Sequence, residues 1–204
     1  GALGALDVPD VIIPVLCDAA GEERDDVVRR NAIWSIAGVK HRSNVRQQPI
    51  EDSSVVDVMI EVSNDDDNAI RQITTYTIGF FDSEKAHQRL QVLLEDSDSI
   101  TRVNAAVGLA RHKSTDGYHV FCSILSQPVP EKRDDVELDD NEFMAIFLGL
   151  KNTIKAVDDL ANEWTSQQRD ELAKLLKPIT AEHFDPKMRI DASAATTKLS
   201  LLLE

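Results

Sequence analysis

Two short acidic turns, Asp65-Asp66-Asp67 and Asp96-Ser97-Asp98, hold the densest chemistry in this chain of 204 residues. Carboxylates that close together can hold a hard divalent cation through oxygen ligands. Neither turn has the glycine and terminal glutamate of a helix–loop–helix calcium site, so a solvated turn that caps a helix is the plainer reading. The five histidines, His41, His87, His112, His119 and His183, have no second ligand type at metal spacing. Cys17 and Cys122 lie far apart in apolar contexts and read as small buried hydrophobes. There is no His-Glu-x-x-His, Cys-x-x-Cys, phosphate-binding glycine loop or Gly-x-Ser-x-Gly. No catalytic residue, cofactor or metal is expected.

The remaining candidates are charge pairs: Asp25 with Arg29, Asp67 with Arg71, Asp98 with Arg102 and Asp185 with Arg189. One such pair alone would suggest an anion site or an acid–base couple. Four argue for scaffolding, because an active site is built once and a structural contact once per repeat. Each pair belongs to a longer phrase: Asp, an apolar or β-branched residue three on, Arg, a small residue three further, then a small or apolar pair. A degenerate copy starts at Asp139 and has Phe143 in place of Arg. The Asp residues are spaced by 42, 31, 41 and 46. Periods of that size mean stacked helix pairs.

The elements follow from the phrase. Each Asp is placed as the N-cap of a second helix, its carboxylate accepting from a free backbone N–H. Second helices are expected near 26–39, 68–80, 99–111, 141–157 and 187–202. First helices are expected near 8–20, 50–62, 84–94, 118–126 and 166–176. Pro9, Pro49, Pro128, Pro130, Pro178 and Pro186 fall at proposed boundaries or first turns. Pro14 falls inside the first helix, which is therefore kinked or begins later. Gln127–Asp140 reads as an exposed loop within the fourth pair.

The phrase Asp-x-x-Val-Arg-x-x-Ala-x-x-Ala-Leu is similar to the second helix of HEAT repeats. Over nearly its whole length the chain resembles the HEAT-repeat, armadillo-like superfamily, most closely its short bacterial-type repeats. The resemblance implies an all-α, right-handed solenoid of about five antiparallel helix pairs, one unit over 1–204. It implies first helices on the convex side and second helices on the concave side, where partners commonly bind. It also implies that Asp25, Asp67, Asp98 and Asp185 cap, and that Arg29, Arg71, Arg102 and Arg189 bond neighbouring loops or the adjacent repeat's Asp. At Phe143 that ladder should break.

At 100° per residue, places three, seven, ten, eleven and fourteen after each Asp share the core side: Val28, Ala32, Ser35, Ile36 and Val39 in the first copy. Places five and nine lie roughly opposite. Place nine reads Trp34, Tyr76, Val107, Leu148 and Ala194, apolar in every copy. Place five begins with Arg30 and Gln72. Either neighbouring helices cover place nine, or it is an apolar stripe for a protein or peptide partner, with Trp34 and Tyr76 as anchors and Val107, Leu148, Arg30 and Gln72 beside them.

Composition narrows the partners. The formal charge is −14, from 36 acidic and 22 basic residues. A field of that sign repels phosphate backbones and anionic membrane surfaces. It weighs against HEAT-like DNA glycosylases, and the absence of any His-Glu dipeptide weighs against HEAT-type deoxyhypusine hydroxylases. Phycobilin lyases, built of similar short repeats, leave a tetrapyrrole-handling alternative through Trp34, Tyr76 and Arg30. A structural spacer in a longer protein is a third reading. No 18-residue apolar run is present. The reading is a soluble scaffold, the cytoplasm slightly favoured, with no enzyme activity. Apolar termini at Leu3, Leu6 and Leu199–Leu203 suggest a fragment of a longer array, or self-association through the ends.

Overall fold

The computed structural model describes residues 9–21, 24–47, 53–129 and 140–202, and there it holds ten helices and no strand. They are α1 (Pro9–Ala19), α2 (Asp26–Val45), α3 (Ser53–Val62), α4 (Asn68–Ile78), α5 (Glu84–Leu93), α6 (Ser99–Arg111), α7 (Tyr118–Leu125), α8 (Asp140–Asp159), α9 (Ser166–Glu182) and α10 (Pro186–Leu201). The even-numbered helices are the second helices, so the all-α solenoid class expected from the repeat is the one observed. Leu3 and Leu6 at the first apolar terminus and most of the Gln127–Asp140 loop lie outside the described residues.

The chain divides into two compact units, 1–108 and 109–204. In the first, α1 packs on α2, α3 on α4, and α2 on α4. Its core is aliphatic: Ile13, Ile33, Ile36, Met59, Ile70, Ile78 and Leu90 are fully buried. Small residues let the helices approach. A Cβ added at Gly108 in α6 would stand 3.0 Å from the Gly79 Cα just after α4. In the second unit α10 packs on α9 and α8, while α7 packs on α8 and α9. Trp164 anchors this core, fully buried, its indole N–H donating to the Val157 carbonyl at 3.1 Å. Its ring meets Tyr118 and Phe121 at centroid distances of 5.8 and 6.2 Å.

Three local expectations change. α2 runs to Val45 rather than Val39, because its last turns have work to do. Lys40 lies over the Phe81 ring at 5.1 Å, and the Asn44 amide donates to the Phe80 carbonyl at 2.9 Å. α9 continues through Pro178 instead of stopping there. A proline in a helix leaves the carbonyl four residues back without its donor; here that residue is the exposed Lys174. Beyond it, the buried Ile179 gives the last turn a reason to persist. Val28, assigned to the core side, is 47% exposed, although its counterparts Ile70, Thr101 and Met188 are buried. Place three leans toward the preceding pair, and among the described residues α2 has no second helix before it. Pro14 does lie inside α1.

Candidate functional site

Four second helices, α2, α4, α6 and α10, start from the same small machine. Asp25 accepts from Val27 N–H (2.9 Å), Asp67 from Ala69 N–H (2.7 Å), Asp98 from Thr101 N–H (2.7 Å) and Asp185 from Lys187 N–H (2.7 Å). These carboxylates occupy N-terminal donors that the helix cannot satisfy itself. The Arg four residues on turns back to the loop. Arg71 donates to the carbonyls of Asp65 and Asp66, Arg102 to those of Asp96 and Ser97, and Arg189 to that of His183.

The ionic partner of the Arg is not the next capping Asp but the residue two before it. Arg29 forms a short, buried bridge to Asp65, and Arg71 pairs with Asp96 at 3.2 Å. Asp65 and Asp96 also accept the cap's own N–H, from Asp67 and Asp98, both at 2.8 Å. The acidic turns are thus occupied by arginine and backbone. Among the described residues no group of three or more His, Cys, Asp or Glu is placed to hold a metal ion. Burial works against the charge on Asp65, yet the Arg29 guanidinium and the Asp67 N–H outweigh it and hold the carboxyl below its ordinary value. Sequence reasoning places this second Asp in a solvated capping turn or a cation site rather than opposite the Arg, although the Asp-x-Asp spacing marks it.

In the fourth copy a cluster of rings stands at the place of this contact. Phe143 stands where the Arg would be, and it packs on Phe147 and Phe184 at centroid distances of 5.8 and 6.1 Å. His183 takes the place of Asp65 and Asp96, two before the cap. Its Nδ1 accepts the Asp185 N–H at 3.1 Å, and its ring stacks on Phe184 at 4.6 Å. An ion pair has become an aromatic cluster.

Burial, ahead of the opposing pull of Asp185, lowers the pKa of the His183 imidazole from its ordinary 6.5. The neutral ring is the form that accepts from Asp185. The unfolded chain therefore takes up this proton first as the pH falls. The stability His183 contributes is complete above about pH 6.5 and declines toward the lowered folded value. We expect the urea midpoint to drop between pH 7 and pH 5, with a slope of up to about 1.4 kcal/mol per pH unit from this one group. His183→Asn should flatten that slope; an unchanged slope would assign the dependence elsewhere.

Place nine is uneven. Trp34 is 54% exposed, Tyr76 half-buried, Val107 only 7% exposed and Leu148 44% exposed. Trp34 and Tyr76 meet across α2 and α4 with ring centroids 5.3 Å apart. The row continues from Tyr76 to Phe80 (5.1 Å) and from Phe80 to His41 (5.5 Å). Arg30 sits beside it, half-exposed and 4.0 Å from Asp67, while Gln72 donates to Asp98 at 3.1 Å. The structure therefore brings Trp34, Tyr76 and Arg30 together on one face and packs Val107 inside. Phe80 and His41 had no signal in the place-nine count, because they sit at places thirteen and sixteen.

Tyr118 and Cys122, the most nucleophile-like neighbours, are poorly suited to chemistry. Burial, then the Glu171 carboxylate that accepts from the phenol at 2.7 Å, pushes the Tyr118 pKa up, and burial also raises that of the Cys122 thiol. Both stay protonated at neutral pH, the inactive form for a nucleophile.

Loops tied by Asp–Arg bridges, joining helix pairs in sequence order, define a helical-repeat protein. Residues 13–110 match the family model described as HEAT repeats, so that span of the chain is a HEAT-repeat array. A crystal structure of an engineered protein is similar in fold, at a TM-score of 0.57 and 15% identity over 94% of this chain and 80% of that one. Escherichia coli YibA aligns at a TM-score of 0.49 and 17% identity, over 97% and 72% of the two chains. An archaeal HEAT-like repeats protein from Thermococcus onnurineus aligns at 0.44 and 15%, over 100% and 91%. No curated protein matches the chain. No described helix is long and apolar enough to cross a membrane.

Proposed function

We propose that the chain is a non-catalytic scaffold that takes a protein or peptide partner on the face of its second helices, the concave side in the family's architecture. The observation that carries this is the aromatic row of Trp34, Tyr76, Phe80 and His41. Its leading ring is more than half exposed although it sits among packed helices. An exposed indole held against a second ring is pre-organised and costs little entropy on binding, which is why aromatic residues dominate interface energetics. Arg30 at its edge suits an acidic or carbonyl-rich segment.

The test is to recover the partner with immobilised chain and then titrate it against variants. Trp34→Ala should weaken binding by about 1–3 kcal/mol. The urea midpoint should hardly move, since the side chain is not part of the core. Unchanged affinity in Trp34→Ala and Tyr76→Ala together would exclude this face. Visible absorbance in the purified chain would instead favour the pigment-handling reading.

A further inference from the structure

α10 leaves one stripe uncovered. Ile190 is 67% exposed and Leu201 65%, and Ser193, Ala194 and Thr197 between them are exposed too. On earlier second helices two of these places, eight and twelve, are covered, while place nine (Trp34, Tyr76) and place sixteen (His41, Ser83) are not. Place eight is Ile33 in α2 and Thr75 in α4, and place twelve is Ala37 and Gly79, all buried. The next second helix covers them: Arg30 and Gln72, at place five, reach its capping Asp67 and Asp98, and Gly108 closes on Gly79. Ser193 and Thr197 of α10 thus stand at the two places, eight and twelve, that a neighbouring helix covers on α2 and α4, and Ile190 at the place five that reaches it. Ile190, Ala194, Thr197 and Leu201 follow one another at intervals of four, three and four, the spacing of a coiled-coil seam.

We infer that the occupant is α10 of a second copy of this chain, lying antiparallel about a two-fold axis. The seam is self-complementary: Ala194 and Thr197 lie at its centre and allow close approach, while each Ile190 meets the second copy's Leu201 at the ends. Asp191 and Lys198 lie on the same edge of the seam, and antiparallel pairing brings each toward its opposite in the other copy. At present they make exposed or half-exposed pairs with Lys187 and Asp158, each at 3.4 Å. Ordinary stacking by another Asp-capped helix is disfavoured. It would set a capping carboxylate against Ile190, where α2 and α4 supply Arg30 and Gln72 to meet it. A single helix-on-helix seam sits at the small end of interfaces, so weak, concentration-dependent association is expected.

Sedimentation equilibrium of the full 204-residue chain tests this. A monomer–dimer equilibrium is expected, with Ile190→Glu weakening it at least tenfold and leaving the helical circular dichroism unchanged. A short thiol cross-linker should join two Ala194→Cys chains through position 194, mapped by peptide mass to separate it from Cys17 and Cys122, but should not join two Ile190→Cys chains through position 190. A monomer at every concentration, open-ended growth to larger species, or a dimer indifferent to Ile190→Glu would overturn the inference.

Discussion

Asp65→Ala is expected to lower the unfolding free energy by about 3–5 kcal/mol, the range for breaking one side of a buried ion pair. The Arg29 side chain is 6% exposed and that of Asp65 10%. Without Asp65 the guanidinium keeps, among the described residues, a long contact to the exposed Asp26 (3.5 Å) and one to the Ala20 carbonyl (3.3 Å). The loop loses as well, because Asp65 holds the Asp67 N–H in the position from which Asp67 caps α4. The measurement is urea unfolding at pH 7, with Asp57→Ala as control. Asp57 pairs with Lys85 in the open, so its loss should cost under about 1 kcal/mol. Replacing the buried pair together, Arg29→Met with Asp65→Leu, should recover much of the loss, since apolar residues of similar volume carry no desolvation cost. Equal effects of Asp65→Ala and the control would show that the bridge does not hold the loop. The pH dependence runs in the same sense. The folded carboxyl lies below its ordinary 3.8, so its contribution is present at neutral pH and is lost as the pH falls below about 4 through the folded value.

Trp164→Ala should cost about as much, roughly 3–5 kcal/mol, by a different route. The side chain is 1% exposed and packs on Tyr118 and Phe121. Removing it leaves a cavity larger than the neighbours can fill and frees the Val157 carbonyl from its donor. Trp164→Phe keeps most of the volume and should cost less, about 1–2 kcal/mol. The chain has two tryptophans, so a Trp34→Phe background isolates the Trp164 emission. That emission should be that of a buried indole and shift red on unfolding. A cost below about 1 kcal/mol for Trp164→Ala would mean the second unit does not depend on this core.

The repeat made the fold legible. Helix starts at Asp26, Asn68 and Ser99 were read directly from the capping Asp residues, because N-capping is a local rule that needs only the neighbouring N–H groups. Helix ends were less legible. Pro178 looked like a stop, but the buried Ile179 and its neighbours outweigh one lost backbone bond, and that balance is tertiary. The candidate face was half legible. Place nine selected Trp34 and Tyr76, yet it also selected Val107, which the structure packs inside. Periodicity ranks residues around one helix and is blind to which neighbouring helix arrives on which side.

From the amino-acid order alone came the all-α repeat, the caps and the solitary Phe143, since each rests on contacts within a turn or two of chain. Only the packed molecule decided that Arg29 and Arg71 bridge to Asp65 and Asp96 rather than to the capping residues, and that Phe143 and His183 join one cluster of rings through Phe147 and Phe184. Arg29 and Asp65 lie 36 residues apart, and Arg71 and Asp96 25. At such separations partner choice depends on how deeply each side chain is buried and on the loop that presents it, and neither is encoded within a single period.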